Sequence, residues 1–183
     1  MSKPYETTLP ALLLDRARKH PKKIAMREKE WGVWQPFTWQ QYFDATAEFA
    51  AGLDSLGIGP GDIIILIGDN RPEWLWAELA IQALGGMALG LYQDSTADEV
   101  EYIFSLTEAK MVVAEDQEQV DKVLELMPNL TQLKHIVYHN PKGLAGAEDA
   151  IAGLKSFDKV RELGRATAGE FETWVSKVTP DDA

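Results

Sequence analysis

The sequence predicts an α/β protein built on a parallel, doubly wound sheet of β-α repeats. Four short apolar runs, Ile63 to Ile67, Met87 to Leu91, Lys110 to Ala114 and His135 to Tyr138, begin 24, 23 and 25 residues apart. That interval holds one strand, one crossover helix and two loops. The segments between them, Glu73 to Leu84, Ala97 to Thr107 and Gln117 to Met127, repeat apolar residues at helical spacing, as Val120, Val123, Leu124 and Met127 do. The runs are rich in Ile and Val without polar alternation, the pattern of strands covered on both faces.

A helix and a short β-hairpin come before the repeats. Thr8-Leu9-Pro10 reads as a helix start, because Pro early in a helix costs little, and Leu12, Leu13 and Ala17 supply the apolar stripe before His20-Pro21 ends it. Ile24 to Met26 and Val33 to Phe37 are two extended runs separated by charge and Gly32, hence a hairpin, with Pro36 at an edge. Thr38 and Gln41 fit a capping box that opens the next helix. Tyr42, Phe43, Phe49, Ala50, Leu53 and Leu56 recur along it, and Gly57 ends it.

Within the repeats, Asn70-Arg71-Pro72-Glu73 reads as a cap at Asn70, an early Pro and an acidic third position at Glu73; Ser95-Thr96 offers overlapping caps for the following helix. After Tyr138 the chain loosens, with short helices around Phe157 to Leu163 and Glu170 to Val178. The organisation expected is therefore residues 1–38, helix and hairpin; 39–140, β-α repeats; and 141–183, loop, short helices and a linker.

With 45% apolar residues, 183 residues can bury a core. No apolar run approaches the roughly 20 residues of a bilayer span, and Met1 to Glu6 lacks a signal-peptide core, so a soluble, cytoplasmic protein is expected. Without cysteine there is no disulfide, thiolate nucleophile or Cys-ligated metal. Net charge is −11: residues 1–30 hold eight Lys and Arg against four acids, and the rest hold ten against twenty-five. An acidic body argues against nucleic acid as the partner. The basic start, with Arg16, Arg18, Lys19, Lys22 and Lys23, reads either as a solvated helix face or as a peripheral contact with an anionic membrane.

Chemistry-bearing motifs are scarce. Gly68-Asp69-Asn70-Arg71-Pro72-Glu73 follows the first strand of the repeats, where a dinucleotide-binding protein would place a Gly-rich turn. Here Pro72 removes a donor, and Asp69 and Glu73 put negative charge where phosphate would sit. The Gly57 to Asp62 stretch lies on the wrong side of its strand to cradle phosphate and is explained by a helix end and a turn. Walker A, His-Glu-x-x-His and Gly-x-Ser-x-Gly patterns are absent, and His20, His135 and His139 read as isolated structural or surface residues. No metal site is expected. Trp74 and Trp76, two apart on a helix, cannot share one face; one meets a partner or solvent, or the pair borders a single stripe.

Taken in order, Phe37 to Tyr42, Leu56 to Asp62, Gly68 to Trp74, Gly85-Gly86 to Leu91-Tyr92, and Ala114-Glu115-Asp116 to Asp121-Lys122 resemble the start of the adenylate-forming superfamily, and within it the long-chain fatty acyl-CoA synthetases. The resemblance covers residues 5 to 140 well and the tail more loosely. It implies the N-terminal subdomain of an AMP-forming acid-thiol ligase, in which Val178 to Asp182 stands shortly before the phosphate-binding loop. It also implies Mg-ATP, CoA and a fatty acid as substrates of the whole enzyme, with no catalytic residue and no cofactor in this chain. Tyr92, Gln93 and Asp94 are by this resemblance candidates for the CoA entrance; the alternative is a plain strand-to-helix connection. One departure is Gly90, where many members carry Pro, and it loosens the assignment of substrate class.

Two other readings stand beside this one. A freestanding α/β binding or interaction module fits the repeats but needs a ligand loop after a strand. A ligase for short acyl, aryl or amino acids fits the same motifs, because these strings do not set the acyl pocket. An isolated piece of a larger domain should expose apolar surface, so self-association is expected.

Overall fold

The computed structural model describes residues 7–182; the expectations for Met1 to Glu6 and for Ala183 lie outside the described residues. Helix α1 (Leu9–Lys19) is capped by Thr8, whose hydroxyl accepts the N–H of Ala11 at 3.3 Å. Strands β1 (Ile24–Glu30) and β2 (Val33–Thr38) form an antiparallel two-stranded ribbon. In such a ribbon both strands are edges, which is why Pro36 is tolerated. Helix α2 (Trp39–Ser55) opens with a reciprocal box: the Gln41 N–H donates to Thr38 Oγ1 at 3.2 Å, and the Thr38 N–H donates to Gln41 Oε1 at 2.8 Å.

The repeats follow as β3 (Ile63–Ile67), α3 (Pro72–Ala83), β4 (Met87–Leu91), α4 (Ala97–Thr107), β5 (Met111–Ala114), α5 (Gln117–Leu126) and β6 (His135–Tyr138). They build one parallel sheet in the order β4-β3-β5-β6-β7, where β7 is Leu154–Ser156. Its central strands feed two cores by simple alternation. Ile64, Leu66, Met111, Val113 and Val137 face a cluster with α1, α2 and α3, while Ile65, Ile67, Val112, Ala114 and Ile136 face one with α4 and α5. An uninterrupted apolar strand is therefore two amphipathic faces read as one run.

Strand β4 departs from the expectation of cover on both faces. It is one of the sheet's two edge strands, with β7 at the other side, and Met87 and Gly90 are exposed. The cap expected at Asn70 also moves: α3 is capped at Arg71, without a side-chain hydrogen bond, because Pro72 takes the first helical position and shifts Glu73 to the second.

Beyond Tyr138 the chain does more than link. Helix α6 (Ala147–Ala150) and β7 were not legible, since β7 offers three residues and a single apolar side chain. Glu148 Oε1 joins them to the sheet, accepting the Tyr138 hydroxyl at 2.7 Å and the Ser156 N–H at 2.8 Å. Burial and this carboxylate push the Tyr138 pKa up to about 12. Helix α7 (Phe157–Gly164) lies on α2, with Phe157 stacked on Phe49 at 3.9 Å. The last expected helix shortens to a 3-10 turn followed by α8 (Phe171–Val175), which buries Phe171. The sheet thus runs across the boundary expected at residue 140.

Candidate functional site

In a doubly wound sheet, ligands bind outside the carboxyl ends of the strands, where the winding direction reverses. Here that point lies between β3 and β5, because β4 is added on one side of β3 and β5 on the other. The crevice is occupied by the protein itself. Glu115, the first residue after β5, is 7% exposed. Its Oε2 accepts the Asp69 N–H at 2.6 Å, and its Oε1 accepts Arg71 Nε at 3.3 Å. An internal carboxylate thus takes the backbone donor that a bound anion would use. The fit requires Gly68, since a Cβ there would lie 2.6 Å from Glu115 Cβ.

Arg71 also reaches the hairpin, its Nη1 donating to Glu28 Oε1 at 3.0 Å. The bond to Glu28, reinforced by Glu115, raises the Arg71 pKa. With two carboxylates on one guanidinium, its charge is spent within the fold. Nearby His139 is held below the ordinary 6.5 by burial, while burial holds Glu73 above the ordinary carboxylate value. This network of Arg71, Glu115 and Glu28 was missed in the sequence. The available signal was a carboxylate placed directly after a fully apolar strand.

Beside it, the loop after β4 carries Tyr92, Gln93 and Asp94, all exposed. Tyr92 shares an open cleft of about 370 Å³ with Gly68, Asp69, Asn70, Trp74, Gly90 and Leu91. Gln93 and Asp94 do not line it. The Trp74 ring lies over Gly90, where a Cβ would come within 2.8 Å of Cζ2, so the small residue at this position matches the indole above it. Trp76, its neighbour two residues on, is buried with Phe37 edge-on at 5.5 Å, and its Nε1 finds no partner among the described residues.

The loop is tied down by Lys122 of α5. Its Nζ donates to the carbonyls of Gln93 and Ser95, both at 2.9 Å, and to Gln119 Oε1 at 3.0 Å. All three ammonium protons are thereby used. The cleft consequently offers aromatic surface for a planar group and no cation among its lining residues to clamp phosphate. Among the described residues no group of three or more His, Asp or Glu is placed to hold a metal ion. No helix in the described residues is long and apolar enough to cross a membrane.

The turns at the amino ends of β3 and β4, the opposite end of the sheet, are structural. Asp62 Oδ2 accepts the Gly59 N–H at 3.0 Å, and the Gly61 N–H donates to the Gly85 carbonyl at 2.8 Å. A larger groove of about 560 Å³ lies here, lined by Pro60, Leu84, Met87, Trp174 and Val178. The remaining sites expected in the sequence, Thr38, Gln41 and Asn70, cap or border elements and do not converge on one centre.

Fold and site together define an α/β scaffold whose switch-point crevice is filled by its own side chains. The chain belongs to the AMP-binding enzyme family, whose model matches residues 13–182. It is 27% identical over 158 residues to a long-chain-fatty-acid–CoA ligase of Xenopus laevis, covering 86% of this chain and 21% of that protein. A second such ligase, from Rattus norvegicus, is 25% identical over 172 residues, 91% of this chain and 23% of the relative. The chain therefore spans about a fifth of the length of the curated relatives it matches. Among solved structures, the acetoacetyl-CoA synthetase of Streptomyces lividans superimposes with a TM-score of 0.74 at 25% identity, covering 85% of this chain and 25% of that one. The coronafacic acid ligase of Pectobacterium brasiliense reaches 0.75 at 16% identity, covering 86% and 30%, a likeness of fold.

Proposed function

We propose that this chain is the N-terminal part of an ATP-dependent long-chain fatty acid–CoA ligase. In the proposed reaction a carboxylate oxygen of the fatty acid attacks the α-phosphorus of Mg-ATP, the bond to pyrophosphate breaks, and an acyl-adenylate forms. The CoA sulfur then attacks the acyl carbonyl, its proton is lost, and AMP leaves with the electrons of the acyl-oxygen bond. Adenylation is needed because a free carboxylate is a poor electrophile. Mg²⁺ bound with ATP would offset phosphate charge in the first step.

The observation that carries the reading is the match to long-chain-fatty-acid–CoA ligases along 86% and 91% of the chain. The filled crevice supports assigning the chemistry to residues outside this chain. Within it, the β3, α3 and β4 elements act as scaffold, and Tyr92 with the Trp74 face is the surface against which a CoA nucleotide would pass on its way in. Gln93 and Asp94, exposed on the same loop, are further candidates for contact with the entering nucleotide. Our reading puts the enzyme in the cytoplasm, with a peripheral contact at the membrane.

Pyrophosphate release with fatty acid, Mg-ATP and CoA tests the assignment. The protein expressed from the whole open reading frame should release pyrophosphate and make acyl-CoA, and the 183-residue chain alone should do neither. Pyrophosphate release by the short chain would sink the scaffold reading, and failure of the longer protein would sink the ligase reading. A freestanding binding module would instead bind FMN or CoA tightly in a titration followed by Trp fluorescence.

A further inference from the structure

The β1-β2 hairpin divides its side chains by charge. Cross-strand register places Arg27 opposite Pro36 and Lys29 opposite Trp34, so these four share one face. Met26, Glu28 and Phe37 occupy the other face, and it is the inner one: Phe37 meets Trp76, Met26 packs on the core, and Glu28 bonds Arg71. The outward face therefore carries two cations, an indole and a proline, with no carboxylate. Lys29 Nζ lies 6.0 Å from the Trp34 ring centre, and Trp34 is 59% exposed.

The tip adds a second observation. Trp31 and Gly32 have φ of +48° and +82°, the two positive values that a type I′ turn requires. Asn, Asp and Gly suit the first of these positions, and a bulky side chain is an outlier there. Trp31 holds that strained backbone while its side chain stands free: it is 95% exposed. Nothing within the fold rewards the choice, which points to a function outside it.

We propose that the outward face and tip of this hairpin dock on an anionic lipid bilayer. Trp31 and Trp34 would sit at headgroup level, where tryptophan is favoured because its ring is apolar and its N–H remains wet. Arg27 and Lys29, with Lys22 and Lys23 at the root, would face lipid phosphates. None of these four has an ion-pair partner among the described residues. Charge complementarity selects this occupant. From Lys22 to Thr38 the chain holds four cations against two acids, one of them turned inward to Arg71, whereas residues 31–183 carry ten cations against twenty-five acids. An anionic surface would attract the hairpin and repel the body, orienting the protein tip first.

The inference needs none of the ligase chemistry, and vesicle binding is measured without ATP, so the two fail separately. The 183-residue chain should co-sediment with phosphatidylcholine vesicles containing phosphatidylglycerol and much less with phosphatidylcholine alone, and salt should weaken the binding. Arg27→Gln with Lys29→Gln should weaken it roughly fivefold per charge, from about 1 kcal/mol for each cation near such a surface. Trp31→Asn creates the favoured Asn-Gly turn, so it should keep or raise the urea midpoint while lowering vesicle partition together with Trp34→Ser. Absence of binding to the anionic vesicles, or binding unchanged in the Trp31→Asn, Trp34→Ser protein, would overturn the proposal. A dimer in light scattering that Trp31→Asn dissolves would assign the face to a second copy instead.

Discussion

At the scale of single residues, the decisive feature is that one carboxylate does the work of a ligand. Glu115 satisfies the Asp69 N–H and binds Arg71, whose side chain is 42% exposed, so solvent screens the ion pair and the backbone bond is the stronger of the two contributions. His139 sits beside this network and gives it a pH signature. Burial lowers its pKa, Arg71 adds to the effect, and Glu115, Asp116 and Glu28 oppose it. A lowered folded pKa means that the unfolded chain takes the proton first. The stability is therefore complete above the ordinary value of 6.5 and is lost as pH falls from there through the folded value. Glu73 shifts the other way: its raised pKa favours the fold below 4.5, and that contribution is lost as pH rises through the folded value. We expect the urea midpoint of the 183-residue chain to drop as pH falls below 6.5, and His139→Gln to flatten that limb. An unchanged slope in the variant would show that other groups control it.

At the scale of elements, helices α2 and α7 approach so closely that two positions admit no side chain. A Cβ at Gly52 would strike the Val160 carbonyl, and one at Gly164 would strike the Glu48 carbonyl. Arg161 of α7 clamps the same contact, its Nη2 lying 2.8 Å from Glu48 Oε2. Glycine within a helix ordinarily costs stability relative to alanine. Here the sign reverses, because the obstacle is backbone and cannot rotate away. Gly52→Ala should destabilise the chain by about 1–3 kcal/mol, the usual range for overpacking a close contact. Urea unfolding followed by far-UV circular dichroism would measure it. Stabilisation by the alanine would mean that α7 does not dock on α2 as described.

For the molecule as a whole, the exposed edge strand β4 and the groove lined by Pro60, Leu84, Met87, Trp174 and Val178 leave apolar surface and backbone donors without cover among the described residues. The 183-residue chain should accordingly self-associate, with light scattering giving a mass that rises with concentration, and a constant monomer mass would refute this. The doubly wound fold was legible from four apolar runs at even spacing because each short strand must pair and each crossover helix must cover it. Local chemistry likewise announced the Thr38 to Gln41 box. The sequence by itself thus determined the class of fold, the order of its repeats and the family likeness, all of which follow from periodicity and short-range motifs. Only the tertiary structure decided that β4 is an edge, that β7 extends the sheet and that Glu115 fills the crevice. Each of those depends on residues far apart in the chain meeting in space, and no local pattern records which partner a strand or a charge will find.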